Sequence, residues 1–334
     1  MKVLVSGGSG FLGRAVCRHL LAAGHDVRSL ARHPSNRLDP AVHQVLGDLR
    51  DTDRLRAAVH GCRAVIHTAA RAGIWGTRRE FYDINAQGTQ NLLAVCQEQG
   101  VERFVHTSSA SVVFGNAHVR GADESIPYPR RYLAPYPWSK AIAERAVLAA
   151  NSPALATTAL RVHLIWGPED PHFLPLLLTA ARSGRLVLVG DGTNLIDTVY
   201  IDNAAAAHLA ALENLSPTAP TGGAAYFITQ GQPIALEQMA RNLLTAAGAP
   251  VPVRHLPRRP AVVLGAAAEL LWRALRRTDA PPLTRFLAAE LASEHYFDIS
   301  AARRDLGYRP AVSTDEGLAR LTDHCRTASG AALT

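Results

Sequence analysis

A glycine-rich turn close to the N-terminus constrains the fold of this chain more than any other stretch. Residues 2–6 (KVLVS) have the apolar pattern of a short buried strand, and residues 7–13 (GGSGFLG) follow directly. Helical periodicity then runs from Arg14 to Ala23 and stops at Gly24, a residue type that commonly ends helices. A strand, a glycine turn and a helix in this order are typical of the first unit of a dinucleotide-binding sheet.

Each glycine of the turn has a separate expected role. Gly7 permits a tight turn, Gly10 lets the backbone approach a diphosphate, and Gly13 lets the helix pack closely on the strand. The diphosphate would lie on the free N–H groups at the helix start, beside Phe11 and Leu12. An incidental glycine-rich turn is the alternative interpretation.

The repeating order of elements after this unit extends the same architecture. Apolar runs predict strands, and runs with helical periodicity predict helices between them. The predicted elements are a strand and turn at 44–49, a helix at 51–59, a strand at 64–70, a helix at 81–98 and a strand at 101–106. Repeated β-α units of this length predict an α/β protein with a Rossmann-type doubly wound parallel sheet.

Composition and charge exclude several classes of protein. The 334 residues are 48% hydrophobic and 19% charged, which is typical of a globular chain and not of a disordered one. The formal charge of +7 comes from scattered arginines and lysines without aromatic interleaving, so we expect no nucleic-acid partner. Four widely spaced cysteines predict neither a disulfide framework nor a metal site. Because the sequence shows no basic leader and no apolar run near the ~18 residues of a membrane span, we expect a cytoplasmic protein.

The residue that follows the second predicted strand, at 26–31, indicates which nicotinamide cofactor fits. An NAD site usually has a carboxylate there to bind the ribose 2′-hydroxyl, whereas this chain has Arg32. A guanidinium would pair with a 2′-phosphate, so NADP(H) is the preferred cofactor. If Arg32 is only a solvated loop residue, NAD(H) could bind as well.

Two more strand ends are expected to contact the cofactor. Ala69 and Ala70 are small enough to let it come close, although tight packing would explain them equally well. Asp48, which Leu49 follows, can accept a hydrogen bond from the adenine amine or can simply be a turn residue.

A tyrosine and a lysine four residues apart are the candidate catalytic pair. Pro137 suits the first position of a helix that continues over 141–150, so Tyr136 and Lys140 would share one helical face. The neighbouring ammonium would favour the phenolate and lower the pKa of Tyr136, which would allow proton exchange with an alcohol or a ketone near neutral pH. Among the hydroxyls at 107–111, Ser109 could donate to the reacting oxygen, or the cluster could be a plain turn.

Together these motifs resemble the extended short-chain dehydrogenase/reductase family, and within it the 3β-hydroxysteroid dehydrogenase-like branch. The motifs that carry the resemblance are GGSGFLG at 7–13, GDL at 47–49, DINAQGT at 83–89, TSS at 107–109 and YPWSK at 136–140. The resemblance implies that Tyr136 is the general acid/base and that Ser109, or alternatively Ser108, orients the reacting oxygen. It also implies that Lys140 holds the nicotinamide ribose in addition to lowering the pKa of the tyrosine.

The same resemblance implies roles for three residues outside these groups. Asn85 is similar to the asparagine that supports a proton-relay water in the family, although it could simply be a polar residue at a helix start. Leu164 and Ile165 end a predicted strand at 156–165 and would line the nicotinamide, or would be a buried strand end.

Several other stretches are similar to bacterial 2-alkyl-3-oxoalkanoate reductases of long-chain olefin and β-lactone synthesis. They are AARAGIWG at 69–76, IWGP at 165–168, VGDG at 189–192 leading to YIDN at 200–203, and AARRDLGY at 301–308. The resemblance implies reduction of the 3-keto group of a long-chain 2-alkyl-3-oxoalkanoic acid. Because TSSASV at 107–112 looks like the sterol-4α-carboxylate 3-dehydrogenases, a 3β-hydroxysteroid dehydrogenase is the alternative, and an NAD-dependent nucleotide-sugar epimerase is a third.

The second half of the chain is expected to form the smaller, discontinuous lobe with which the resembled family binds its substrates, here a large apolar molecule. We predict a cofactor domain at 1–170, a mainly substrate-binding lobe at 171–325 with some elements returning to the first domain, and a tail at 326–334. Within the lobe, arginines flank an apolar stretch in 254–291. This segment would either contact a membrane surface or pack as an ordinary lobe helix. Homodimers are common in the family, so a homodimer is a further expectation.

Overall fold

The computed structural model of the chain describes residues 1–184, 186–251 and 254–331. Its strands are β1 (Lys2–Ser6), β2 (Asp26–Ala31), β3 (His43–Leu46), β4 (Ala64–His67), β5 (Arg103–Ser109), β6 (Val119–Ala122), β7 (Ala156–Val162), β8 (Ile165–Trp166), β9 (Val187–Val189), β10 (Leu195–Ile196), β11 (Val199–Tyr200), β12 (Ala225–Ile228), β13 (Ile234–Ala235), β14 (Arg254–Leu256) and β15 (His295–Phe297).

The helices alternate with these strands along most of the chain. They are α1 (Phe11–Ala22), α2 (Thr52–Val59), α3 (Arg78–Phe81), α4 (Gly88–Glu98), α5 (Pro135–Ala149), α6 (Phe173–Arg182), α7 (Ile201–Asn214), α8 (Leu236–Ala246), α9 (Arg258–Ala274), α10 (Arg285–Leu291), α11 (Ser300–Asp305) and α12 (Thr314–Ala331). A π-helical segment (Tyr82–Gln87) joins α3 to α4, and a short 3₁₀ helix (Ala110–Val113) follows β5.

Seven of the strands form one parallel sheet. Its order is β12–β7–β5–β4–β1–β2–β3, and every neighbouring pair runs parallel. The carboxyl ends of all seven strands therefore meet at one edge, where folds of this kind bind ligands. Helices cover both faces of the sheet, which confirms the predicted Rossmann-type doubly wound fold.

The side chains of β1 show why helices cover both faces. Val3 and Val5 point to one side and share a core with Val16 of α1. Leu4 points to the other side and packs in a second core with Leu92 of α4. A strand that is apolar on both faces must be covered on both faces, and such strands are typical of parallel sheets.

A smaller four-stranded sheet lies outside the main one, in the order β13–β10–β15–β6. Strand β6 comes from the first half of the chain, whereas its three partners come from the second half. In the opposite direction, β12 joins the main sheet beside β7, and α7 packs against α1. Both halves of the chain therefore contribute elements to both units.

Two element ends near the catalytic motif differ from the predicted ones. Helix α5 begins at Pro135 and not at Pro137, so Tyr136 is its second residue. Prolines fit this first turn because the N–H groups that they lack would have no helical acceptor there. Strand β7 ends at Val162, before the predicted end at 165, because Leu164 has a φ of +39° that breaks the strand before β8.

The last helix is longer than predicted. Helix α12 continues to Ala331 and includes much of the stretch predicted as a tail at 326–334, while residues 332–334 lie outside the described ranges. In the predicted segment 254–291, α9 and α10 follow β14. No helix in the part of the chain that the structure describes has both the length and the apolarity to cross a membrane.

Candidate active site

The glycine turn after β1 has the shape of a diphosphate cradle. Gly7 has a φ of +77°, and a Cβ there would lie 2.7 Å from the Ala69 backbone at the end of β4. A Cβ on Gly13 would lie 2.0 Å from the Gly7 carbonyl oxygen, so only glycine lets α1 come this close to the turn.

The start of α1 can hold an anion. Its N-cap is Gly10, and no side chain caps the helix. The first N–H groups of the helix, at Phe11 and Leu12, therefore have no side-chain acceptor, and the helix dipole favours an anion beside them. The cradle thus fits the diphosphate of a dinucleotide, with Ala69 and Ala70 at the strand end next to it.

The residues expected at the adenosine end lie next to each other. Arg32 is exposed directly after β2. The pKa of Asp48 is lowered mainly by its hydrogen bonds with Arg50, and the charge of Arg32 adds to this effect. Asp48 accepts three hydrogen bonds from Arg50, from the backbone N–H at 2.9 Å, from Nε at 2.8 Å and from Nη2 at 2.9 Å. An adenine amine would therefore compete with Arg50 for this carboxylate. Leu49 is buried where α4 begins, 2.8 Å from the position of a Cβ on Gly88.

Tyr136 and Ser109 face each other across the edge of the sheet. Tyr136 lies in the first turn of α5, and Ser109 is the last residue of β5. Burial raises the pKa of the phenol, and a hydrogen bond with Ser109 lowers it. The Ser109 hydroxyl also lies 2.8 Å from that of Ser111. Ser108 is buried, and its Oγ has no hydrogen-bond partner among the described residues, so the geometry favours Ser109 as the active serine.

The ammonium of Lys140 is turned toward strand β5. Its Nζ donates to the Thr107 carbonyl oxygen at 2.5 Å and lies 3.2 Å from His106 Nε2. Burial lowers the pKa of Lys140 to about 7, and the nearby carboxylate of Glu144 opposes this shift.

The expected effect of Lys140 on the pKa of Tyr136 is not present in this arrangement. The groups that shift that pKa besides burial are Ser109, which lowers it, and Glu290, which raises it. The net result is a raised pKa, which is the reverse of the prediction. The physical reason is that the ammonium is itself desolvated and is held by Thr107 and His106.

Two buried histidines lie behind the lysine. His67 is hydrogen-bonded to Ser6 Oγ at 2.5 Å and to Thr89 Oγ1 at 2.8 Å, and its ring lies 5.2 Å from that of His106. Burial, with Lys140 close by, lowers the pKa of His67 to about 3 and that of His106 well below its usual range. Both imidazoles are therefore neutral at pH 7 and can accept a hydrogen bond on one nitrogen.

Asn85 lies in the π-helical segment and connects two parts of the site. Its Oδ1 accepts from the Arg71 N–H at 2.7 Å, and its Nδ2 donates to the Arg71 carbonyl at 3.1 Å and to Ser139 Oγ at 3.0 Å. Ser139 in turn donates to the Tyr136 carbonyl at 2.8 Å. These bonds give Asn85 a positioning role, and the implied role in a proton relay stays a prediction.

Helix α10 brings a carboxyl group from the second half of the chain to the phenol. Phe286 and Ala289 of this helix pack against Phe114 and Ala134, next to the ends of β5 and α5. Glu290, the next residue, is close enough to Tyr136 to raise its pKa. Burial raises the pKa of Glu290 itself to about 7.

The expected nicotinamide residues lie just beyond the sheet edge. Val162 pairs with Ser109 in the register of β7 and β5, and Leu164 and Ile165 come directly afterwards. The left-handed backbone of Leu164 is a conformation that side chains other than glycine rarely adopt. The contact of these two residues with the nicotinamide stays a prediction.

Comparison with known proteins agrees with this geometry. The sequence model of the 3-beta hydroxysteroid dehydrogenase/isomerase family matches residues 4–258. The chain belongs to this family. The resemblance to the extended short-chain dehydrogenase/reductases and to their 3β-hydroxysteroid dehydrogenase-like branch is therefore confirmed.

Comparison with individual proteins is more specific than the family match. It is 47% identical to the 2-alkyl-3-oxoalkanoate reductase of Stenotrophomonas maltophilia over 96% of this chain and 98% of the relative. It is 35% identical to the mouse sterol-4-alpha-carboxylate 3-dehydrogenase (decarboxylating) over 96% and 89% of the two chains. Among solved structures, the dTDP-glucose 4,6-dehydratase DesIV of Streptomyces venezuelae with NAD bound has a TM-score of 0.76 and 28% identity, covering 99% of this chain and 98% of that one.

Membership of the 3-beta hydroxysteroid dehydrogenase/isomerase family makes the chain an NAD(P)-dependent oxidoreductase that interconverts an alcohol and a ketone. The residues present fit that reaction, because a phenol and a hydroxyl converge beside a diphosphate cradle. The site has three further charged or titratable groups that the sequence motifs did not predict as site residues. They are Arg71, His106 and Glu290. Only Arg71 stands in a motif that the sequence singles out, AARAGIWG.

Proposed function

We propose that this enzyme reduces the 3-keto group of a long-chain 2-alkyl-3-oxoalkanoic acid to the 3-hydroxy acid, with NADPH as the preferred donor. The observation that carries the proposal is the pairing of Tyr136 with Ser109 beside the cradle of α1, in a chain 47% identical to a reductase named for this substrate. A large apolar substrate and a nicotinamide cofactor are the implied partners.

In this reaction, each of the described site residues would have a separate role. The reduced nicotinamide, when bound, supplies a hydride to the carbonyl carbon. Ser109 donates a hydrogen bond to the carbonyl oxygen, and Tyr136 gives its proton to that oxygen as negative charge develops there. The Lys140 ammonium has a third N–H besides those directed at Thr107 and His106, and this N–H would hold the nicotinamide ribose. The product alcohol gains one hydride and one proton, which balances the two-electron reduction.

The preference for NADPH rests on Arg32. Its guanidinium is exposed at the end of β2, where a dinucleotide ribose lies in folds of this kind. We expect Arg32→Ala to raise the KM for NADPH at least about tenfold, because a charge-assisted contact with the 2′-phosphate is lost, and to leave the KM for NADH unchanged. Equal KM changes for both cofactors would contradict this role.

A 3β-hydroxysteroid or sterol-4α-carboxylate dehydrogenase is the second candidate, supported by the 35% identity to the mouse enzyme. A 2-alkyl-3-oxoalkanoic acid and a sterol-4α-carboxylate both carry an oxygen function on the carbon β to the carboxylate. The nucleotide-sugar epimerase alternative is supported only by fold similarity, since the relatives with 35–47% identity are reductases and dehydrogenases.

We also infer that the enzyme works at an anionic lipid surface through α9. The outer face of this helix is apolar and exposed, with Leu270 at 70% and Val263 at 67% exposure. Arginines flank this face, which complements the charge of anionic lipid headgroups. The inner face packs on α10, which carries Glu290 toward the phenol, so α9 lies next to an element of the site. The arginines that flank the apolar stretch of α9 are Arg258, Arg259, Arg273, Arg276 and Arg277.

The substrate assignment can be tested by following the absorbance of reduced nicotinamide. NADPH or NADH would be supplied with a 2-alkyl-3-oxo acid, and oxidised cofactors would be supplied in parallel with a 3β-hydroxysteroid. We expect consumption of NADPH with the keto acid and no reduction of cofactor with the steroid. Steroid oxidation without keto-acid reduction would replace the proposal with the second candidate. Activity with neither, together with NAD released from the denatured protein, would favour an epimerase.

A further inference from the structure

The guanidinium of Arg71 is separated from the ring of Tyr136 by a single aromatic ring, that of Phe81. Arg71 lies four residues after the end of β4, and its Cζ lies 5.0 Å from the centre of the Phe81 ring. The Phe81 ring meets the ring of Tyr136 edge to face, with centroids 6.4 Å apart. The fully buried Phe81 ring therefore packs between the guanidinium of Arg71 and the ring of Tyr136, the proton donor.

The structure holds this arginine in place from the backbone outward. The Asn85 side chain bonds both the N–H and the carbonyl of Arg71. A Cβ on Gly76 would lie 2.9 Å from Arg71 Nη2 and 3.1 Å from the Phe81 ring, so the guanidinium occupies a slot that exists because residue 76 is glycine. Because its side chain is already held in place, Arg71 would lose little conformational entropy on binding a ligand.

The hydrogen-bonding capacity of Arg71 is only partly used. One oxygen of Glu80 lies 3.5 Å from Nη2, which is a long contact, and that carboxylate also accepts from the Thr77 N–H at 3.0 Å in a capping box. The Nε of Arg71 is buried and has no hydrogen-bond partner among the described residues. A buried donor without a partner is costly, and a ligand anion would satisfy it.

Other cations near the site are already engaged. Lys140 donates to Thr107 and lies beside His106. On α3, Arg78 lies over the ring of Trp138 at 5.2 Å, and Arg79 pairs with Asp83 at 3.6 Å.

We propose that Arg71 binds the carboxylate of the substrate and so makes the enzyme select β-keto acids over neutral ketones. This inference rests on the proposed function and deepens it. In a 3-oxo acid the carboxylate is separated from the reacting carbonyl by a single carbon, so one anchored cation can orient both groups. The planar guanidinium can form two parallel hydrogen bonds with a carboxylate. A neutral ester would bind to it more weakly, because it carries no negative charge. Arg71 would therefore bind the carboxylate end of the substrate, while the apolar lobe binds its alkyl chains.

The test compares a 2-alkyl-3-oxo acid with its methyl ester in three proteins: the wild type, Arg71→Gln and the control Arg79→Gln. We expect Arg71→Gln to raise the KM for the acid about 10- to 100-fold, the range for loss of a hydrogen bond to a charged group, with a smaller change in kcat. The KM for the ester should stay within about twofold. Arg79→Gln should resemble the wild type with both substrates, because Arg79 is exposed and its one ion pair among the described residues is with Asp83.

The outcomes separate this inference from the function on which it rests. Equal effects of Arg71→Gln on acid and ester would overturn the role of Arg71 and leave the reductase assignment intact. A wild-type enzyme that reduces neither substrate would overturn both. If Arg71→Gln does not fold, Arg71→Lys keeps the charge without the two-point geometry. It should then raise the ratio of acid KM to ester KM by about tenfold, and an unchanged ratio would count against the proposal.

Discussion

At the scale of single residues, the carboxyl group of Glu290 should affect how the oxidation of the 3-hydroxy acid depends on pH. Its pKa is raised to about 7, so it is protonated below that pH and ionised above it, and its negative charge raises the pKa of Tyr136. Oxidation of the 3-hydroxy acid needs the phenolate as a base. We therefore expect Glu290→Gln to move the acidic limb of the kcat/KM profile for oxidation to lower pH.

The matched control for this change is Glu294→Gln, four residues further along. Glu294 pairs with Arg120 outside the site, so its loss should leave the pH profile in place. The profile would be measured by the appearance of reduced nicotinamide between about pH 5 and 10. Coincident acidic limbs for Glu290→Gln and the wild type would show that Glu290 does not act on the phenol.

A second residue-scale effect concerns His106, which accepts a hydrogen bond from Lys140. Since its neutral Nε2 stabilises the charged form of Lys140, His106→Leu should lower the pKa of that lysine further below about 7. We expect kcat/KM for reduction to fall about tenfold at pH 7 and more at pH 8, the size of a lost hydrogen bond to a charged group.

The control for the histidine is His295→Leu, which removes another buried imidazole that lies in the smaller sheet. It should leave the pH dependence of reduction unchanged. Thermal unfolding of both variants would show that folding is retained. If His106→Leu lost activity equally at every pH, the histidine would have a packing role only.

At the scale of elements, the sequence predicts what depends on near neighbours. The glycines of the turn after β1, the alternation of strands and helices, and the Tyr136–Lys140 spacing are local patterns, and the structure has the corresponding elements. The direction of the Lys140 ammonium is not local, because His106 lies 34 residues away on a neighbouring strand. Glu290 reaches Tyr136 from α10 of the other half, so no pattern around the catalytic motif could indicate it.

The π-helical segment between α3 and α4 shows how one element supports the site. Asn85→Ala would leave the Arg71 N–H and carbonyl and the Ser139 hydroxyl without their present partner. Buried polar groups without partners cost about 1–3 kcal/mol each, so we expect a loss of about 2–4 kcal/mol in the free energy of unfolding. Urea denaturation would measure it. Asn91→Ala, which loses one bond to the Leu49 carbonyl and one exposed bond from Gln87, should cost less than Asn85→Ala, about 1 kcal/mol.

The variant also links this segment to substrate recognition. Because Asn85 holds the backbone of Arg71, the folded Asn85→Ala protein should show a higher KM for the keto acid than the wild type. Unchanged stability together with an unchanged KM would contradict the positioning role of Asn85.

At the scale of the whole molecule, the exposed apolar face of α9 is the surface that we propose for contact with anionic lipid. Helix α9 packs inward through Ala261, Gly265 and Glu269, which recur every four residues. A Cβ on Gly265 would lie 2.7 Å from the Thr284 backbone, so the inner face is closed against the start of α10. The outer face, which carries Leu270 and Leu271, is therefore left to the surroundings, a position typical of an interfacial helix.

We expect the protein to co-sediment with phosphatidylglycerol vesicles, and to do so less with phosphatidylcholine vesicles or at high salt, because flanking arginines contribute only while their charges are unscreened. The double variant Leu270→Gln/Leu271→Gln should bind at least about tenfold more weakly, since burying each leucine contributes up to about 1.5–3 kcal/mol. Leu176→Gln on α6, where the leucine is 73% exposed, is the matched control and should bind like the wild type. Turnover of a short-chain, water-soluble keto acid should be the same in all three proteins. Vesicle binding that is absent in the wild type, or equally reduced by Leu176→Gln, would leave α9 as a lobe helix whose exposed leucines have no membrane partner.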